Sequence, residues 1–293
     1  MPTEAADPRY RAIDRWPTEV AVEAMLEAQL AAIAALKSQT GAMAAAIDAA
    51  AERLRRGGRI AYARAGTSGR IGVQDGVELT PTFNWPVERL AFLIAGGPAA
   101  LTRTQEGAED SREAALAAVA AEEIGADDVL IGVAASGRTP YVIAAIEAAR
   151  GAGALTIALA NNAGTPVLAA AEHAILADTG SEVVAGSTRM KAGTAQKVTL
   201  NLLSTGIMLR LGLVHEGLMV NMQVSNAKLR ARAIRMVGTL ARVGGDAAEA
   251  ALDAGGRDIK RAVLIAHGLA PAEAEARLAA AGGSLAAALD MQS

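Results

Sequence analysis

The chain has 293 residues, of which 52% are hydrophobic and 2% aromatic, with a formal net charge of -3 and no cysteine. A chain of this length and apolar content can bury a full-sized core, and its balanced charge argues against nucleic acid or a membrane surface as partner. The missing cysteines exclude disulfides, thiol catalysis and cysteine-bound zinc.

Residues Thr3 to Pro17 read as an extended polar arm with no signal-peptide core. No apolar stretch is long and uninterrupted enough to span a bilayer, so the expected compartment is the cytoplasm. From Glu19 to Leu36, Val20, Val22, Met25, Leu26, Leu30, Ile33 and Leu36 fall at helical spacing. A second helix is predicted over Gly41–Arg55, stopped by Gly57-Gly58.

Short apolar strands are then expected near Arg59–Arg64, Leu90–Ala95, Val129–Ala134, Leu155–Ala160 and Ala174–Ala177. Helical stretches at Ser111–Glu123, Tyr141–Arg150 and Pro166–Ala171 separate most of them. This alternation predicts an α/β fold: a five-stranded, doubly wound parallel sheet buried on both faces by helices. Long helices are expected over Arg189–Leu211 and Gly217–Val243. After Gly244-Gly245 come short Ala/Glu-rich helices at Ala247–Ala254, Asp258–Ala266, Pro271–Ala280 and Ser284–Leu289. The expected organisation is an arm and helix over residues 1–40, a ligand-binding domain over 41–243 and a small helical module over 244–293.

Two turns share one grammar. Ala65-Gly66-Thr67-Ser68-Gly69-Arg70 and Ala135-Ser136-Gly137-Arg138-Thr139-Pro140 each follow a strand and open a helix. Such turns offer free backbone N–H groups, hydroxyls and a helix N-terminus, which suit a phosphate. Helix capping would explain either turn alone, but two at strand carboxyl ends, where parallel sheets bind ligands, favour binding. Arg70 and Arg138 could pair with phosphate or carboxylate, or with structural partners. The first turn lacks the Lys-Ser/Thr ending of a Walker loop.

A third segment, Glu182–Lys197, places Ser187, Thr188, Arg189 and Lys191 at a helix start. Basic residues there oppose the helix dipole at about 0.3–1 kcal/mol each, a cost that a bound anion would offset. Among carboxylates, Glu78 follows the first turn, and composition does not choose among Glu106, Glu109, Asp110 and Glu113. His173, His215 and His267 form no ligand-spaced cluster, so no metal or other cofactor is expected.

Together, Ala65–Arg70, Glu106–Glu113, Ala134–Tyr141 and Gly186–Lys197 resemble the N-acetylmuramic acid 6-phosphate etherase family, which is built on a sugar isomerase (SIS) domain. The resemblance runs from Thr3 into the C-terminal module. It implies a homodimer that cleaves the D-lactyl ether of a sugar phosphate in peptidoglycan recycling, with Glu78 and Glu109 as catalytic residues. Glu78 is then the acid, kept protonated by burial, and Glu109 the base. Ser136, Gly137, Arg138 and Thr139 resemble the SIS phosphate loop, whereas Thr67, Ser68, Gly69 and Arg70 would shape the sugar and lactyl side. Three departures stand out. Val77–Thr82 replaces a small-Glu-Cys-Pro-Pro-Thr run, Asn221 stands where the family has Asp, and Asn161-Asn162-Ala163-Gly164 replaces Asn-Pro-Gly. The rival readings are a non-catalytic sugar-phosphate sensor that regulates a kinase and an aldose–ketose isomerase. The sensor carries two SIS domains, and this chain has room for one.

Overall fold

Strands β1 (Ile60–Arg64), β2 (Leu90–Ile94), β3 (Val129–Ala134), β4 (Leu155–Ala160) and β5 (His173–Leu176) form one parallel sheet in the order β2-β1-β3-β4-β5. This computed structural model describes residues 1–103, 105 and 107–291. All five strands fall within a residue or two of their expected places. β1, β3 and β4 are buried along their whole length, as unbroken apolar runs between helical layers should be.

The helices are α1 (Thr18–Ala34), α2 (Thr40–Arg55), α3 (Gly66–Val77), α4 (Leu79–Phe83), α5 (Arg112–Ala121), α6 (Pro140–Gly151), α7 (Pro166–Ala170), α8 (Lys191–Arg210), α9 (Ala227–Ala241), α10 (Gly245–Ala254), α11 (Ile259–Ala266), α12 (Pro271–Ala280) and α13 (Leu285–Asp290). The chain divides into two compact units. One comprises Met1–Gly76 and Glu88–Ile207, and the other Val77–Val87 and Met208–Ser293. The segment 244–293, expected as a module, therefore shares its unit with Val77–Val87 and with residues 208–243.

Strand alternation sorts the first unit into two layers. Ala61, Ala63, Leu130, Ala134 and Ala158 face Ala115 and Val119 of α5 and Val142, Ala145, Ile146 and Ala149 of α6. A Cβ on Gly132 would run into Ile146, so this strand position must stay bare. Tyr62 and Arg64 alternate to the opposite face. There the Tyr62 hydroxyl donates to Asp75 of α3 at 3.2 Å, and Asn201 and Ser204 of α8 donate to the other oxygen of the same carboxylate. The buried Arg64 guanidinium lies 4.3 Å from the Tyr62 ring centre, over Gly72, whose missing side chain gives it room. Burial draws this guanidinium down to about 10, against the pull of Tyr62 and Asp75. It also pushes the Tyr62 phenol well up.

Two expectations need correction. The arm Thr3–Pro17 is not extended: it coils into 3-10 turns at Pro2–Glu4, Pro8–Tyr10 and Ile13–Arg15. Pro2 and Pro8 pre-set the backbone of the first two turns. The helix expected over Gly217–Val243 begins only at Ala227, where the Asn226 side chain accepts from Leu229 N–H. Before it, Gly217 takes a φ of +74° and His215 pairs with Leu218 in a single bridge.

The apolar positions of α1 also behave unexpectedly. Only Ala28 and Ala32 are buried, while Val20, Val22, Leu26, Leu30 and Ile33 stay exposed. In the second unit, Val220, Met236, Val237, Leu252, Ile259, Val263, Leu264 and Leu285 form the core. Asn226, Asp258 and Ser284 cap α9, α11 and α13. Asn221 donates its Nδ2 to the Phe83 carbonyl at 2.6 Å. An ionised Asp could not make that bond, so the departure at position 221 has a local structural role.

Candidate functional site

The sheet places β1 beside β3, yet the chain leaves their carboxyl ends for different layers. α3 packs on the Tyr62 face and α6 on the Ala61 face. Such a switch in strand order opens a crevice. A cleft of about 380 Å³ lies there, lined among others by Thr67, Ser68, Glu109, Ser136, Arg138 and Thr188. A neighbouring hollow of about 420 Å³ shares Gly66, Thr67 and Glu109 and adds Arg70. Ala134, Ala135 and Thr139 also line the first cleft.

The two turns are not equivalent. At the second, Ser136–Thr139 forms a loop before α6, with the Ser136 hydroxyl accepting from Arg138 N–H at 3.2 Å. Gly137 takes a φ of +69°, and a Cβ there would overlap Thr165. Only glycine meets both demands. At the first, α3 already begins at Gly66, so Thr67, Ser68, Gly69 and Arg70 are helical. The buried Ser68 hydroxyl donates to Gln196 Oε1 at 2.8 Å, and Gln196 Nε2 donates to Asn161 Oδ1 at 2.9 Å. Asn161 Nδ2 in turn donates to the Ala177 carbonyl. This buried chain ties α3 and the residues that follow β4 and β5 to α8. Gly69 is buried beside Ile94. Arg70 is committed to the wall, donating to the carbonyls of Leu101 and Ala100, whereas Arg138 is exposed at the cleft.

The third segment differs from expectation. The anion at the start of α8 comes from the chain itself. The fully buried Glu182 carboxylate accepts from Lys191 N–H and Ala192 N–H, both at 2.9 Å. Lys191 turns away and donates its Nζ to the Ser181 carbonyl at 2.7 Å, its ammonium drawn down by burial. Of this segment only Thr188 lines the cleft; Ser187 and Lys191 do not.

The two glutamates fall in different units. Glu109 sits in a 3-10 turn ahead of α5, exposed, on the cleft wall. Glu78 stands at the N-cap of α4 and is also exposed, so the burial expected for an acid is not seen at either carboxylate. Glu106 lies outside the described residues; Asp110 lines the cleft and Glu113 does not. A further cavity of about 390 Å³ lies within the helical unit, lined by residues that include Asn84, Asn221, Gln223, Arg257 and Asp258. Sequence reasoning did not single out Glu182, Gln196 or Asn161 as side chains that organise this site. Asn161 and Gln196 stood in quoted segments, but nothing local marked them as partners 35 residues apart.

A model of the glucokinase regulatory protein N-terminal SIS domain matches residues 42–150, and a SIS domain model matches residues 100–205. The chain is 49% identical over 282 residues to an N-acetylmuramic acid 6-phosphate etherase of Deinococcus radiodurans, covering 96% of this chain and 92% of the relative. Identity to the Streptomyces coelicolor protein of that name is 47% over 290 residues, with 99% and 93% covered. Identity to the Salmonella choleraesuis one is 44% over 289 residues, with 98% and 97% covered.

Replacing Glu182 by Gln removes the charge and leaves one of the two N–H donors facing an NH2 group, with no acceptor. The variant should lose about 1–3 kcal/mol of stability, read as a lowered urea midpoint. A midpoint equal to the parent's would contradict the capping role.

Proposed function

The chain belongs to the N-acetylmuramic acid 6-phosphate etherase family, and we propose that it cleaves the D-lactyl ether at C3 of N-acetylmuramic acid 6-phosphate. The products are N-acetylglucosamine 6-phosphate and D-lactate. The observation that carries this reading is near-full-length identity of almost one half to an enzyme of that name. The cleft at the ends of β1 and β3 supports it with the donors a sugar phosphate needs.

In this proposal the 6-phosphate sits on the Ser136–Thr139 loop, taken by the two hydroxyls, backbone N–H groups and the Arg138 fork. Thr67, Ser68 and Gly69 shape the sugar side, with Arg70 bracing the wall and Thr188 facing them. Ser187 and Lys191 support that segment from behind. Ring opening exposes an aldehyde at C1, which acidifies the C2 proton. Glu109 removes that proton as Glu78 protonates the departing lactate oxygen, and the C3–O bond breaks. Water then adds at C3 of the unsaturated aldehyde, and C2 is reprotonated, so the net reaction consumes one water. Each proton transfer contributes roughly 10²–10⁴-fold.

A phosphorylated sugar does not cross a bilayer unaided, which fits a cytoplasmic role in amino-sugar recycling from peptidoglycan. Among the described residues no helix is long and apolar enough to cross a membrane. Two copies pairing would cover the exposed Val20, Val22, Leu26, Leu30 and Ile33 of α1. Light scattering should then give twice the 29.7 kDa chain mass, and Leu26→Asp with Leu30→Asp should shift it toward one. A parent protein that runs as a monomer contradicts the pairing.

The activity is tested by incubating the protein with N-acetylmuramic acid 6-phosphate in heavy water. D-lactate release with deuterium at C2 of the amino-sugar product is expected. Glu78→Gln and Glu109→Gln should each lower kcat at least about 100-fold while still binding product. Full activity in both variants contradicts the assignment. Tight sugar-phosphate binding without lactate release would instead favour the sensor suggested by the match of residues 42–150.

A further inference from the structure

The N-terminal arm is pinned to the first unit at two points. Thr3 is fully buried, its N–H and hydroxyl facing Asn162 Oδ1 at 3.4 Å, while Asn162 Nδ2 donates to the Thr3 hydroxyl at 2.9 Å. The same Nδ2 donates to the Ala135 carbonyl at 2.9 Å, beside the Ser136 loop. Four residues on, Asp7 accepts from the Ser181 hydroxyl at 3.2 Å and holds Arg9, whose guanidinium keeps the Asp7 carboxyl far below its usual range. This anchoring brings Met1 and Glu4 onto the wall of the cleft that Thr67, Glu109, Ser136, Arg138 and Thr188 line. Opposite Glu4, Gly186 takes a φ of +75°, and a Cβ there would come 3.2 Å from the Glu4 Oε2. The Gly186 turn thus leaves space for that carboxylate.

We propose that Glu4 is a substrate-binding residue of this cleft, accepting hydrogen bonds from uncharged O–H or N–H donors of a bound amino sugar. An ionised carboxylate only accepts, and beside an anionic ligand it is repelled by the phosphate and lactyl carboxylate. Its partners are therefore the sugar hydroxyls and the amide N–H, which inorganic phosphate lacks. Glu4 thereby favours amino-sugar phosphates over simple anions that the Ser136–Thr139 loop alone would accept. The Thr3–Asn162 latch ties this selectivity to the phosphate loop, because one side chain holds both.

This inference rests on the sugar-phosphate reading of the cleft. The test compares Glu4→Gln and Glu4→Ala with the parent for turnover, and for binding of N-acetylglucosamine 6-phosphate and of inorganic phosphate. Loss of a charged hydrogen bond should raise KM and the sugar-phosphate Kd about tenfold or more, with kcat changed far less. Phosphate affinity should hold or rise slightly, and because Glu4 is exposed, the melting temperature should hold as well. Unchanged KM and Kd in an active Glu4→Ala protein would overturn the role of Glu4 alone, as would equal losses for both ligands. A parent that neither turns over nor binds the sugar phosphate would overturn this inference together with the function it rests on.

Discussion

Everything at the site depends on β1 and β3 lying side by side while their following helices pack on opposite layers. That divergence leaves strand-end backbone uncovered by either helix, and the chain fills the opening with small residues and hydroxyls. The constraint extends inward. Ala61 and Ala63 keep one layer close, and Gly132 has no room for a Cβ against Ile146. The opposite layer is set by a carboxylate, with Asp75 of α3 gathering Tyr62 of β1 and Asn201 and Ser204 of α8. The position of α3, and so of Thr67 and Ser68, follows from that buried cluster.

Negative charge is therefore used structurally. Glu182 occupies the N-terminus of α8, where a ligand phosphate would otherwise be favoured by the helix dipole. With that position filled from within, the Ser136–Thr139 loop is the remaining place among these segments where backbone, hydroxyls and an exposed arginine converge on a cavity. The Ser68–Gln196–Asn161 chain then holds the two sides of the crevice at fixed spacing without presenting charge to it. Fully satisfied buried networks of this kind rigidify a site.

The strands were readable because each is a short apolar run, and in β1, β3 and β4 burial on both faces leaves no other pattern. The starts of α5, α11 and α13 were readable from their capping residues Ser111, Asp258 and Ser284, whereas the start of α9 was not. What escaped the sequence is mostly non-local. Glu182 looked like part of a basic ligand segment until its carboxylate was seen to cap the helix nine residues on. Lys191 looked like a ligand group until burial beside Ser181 removed it from the cleft. Residues Gly217–Asn226 carry helical spacing, yet the tie from Asn221 to Phe83, 138 residues away, competes with helix. The arm read as polar and extended because nothing in Thr3 or Glu4 announces a partner such as Asn162. The two glutamates were distinguishable from their neighbours only through the family resemblance.

The most direct test is a crystal structure with N-acetylglucosamine 6-phosphate bound. The phosphate is expected on the Ser136–Thr139 loop, within hydrogen-bonding distance of both hydroxyls and facing Arg138, with the sugar running past Thr67 and Glu109. A phosphate seated at the start of α8, or in the cavity lined by Asn84, Asn221 and Arg257, would contradict it.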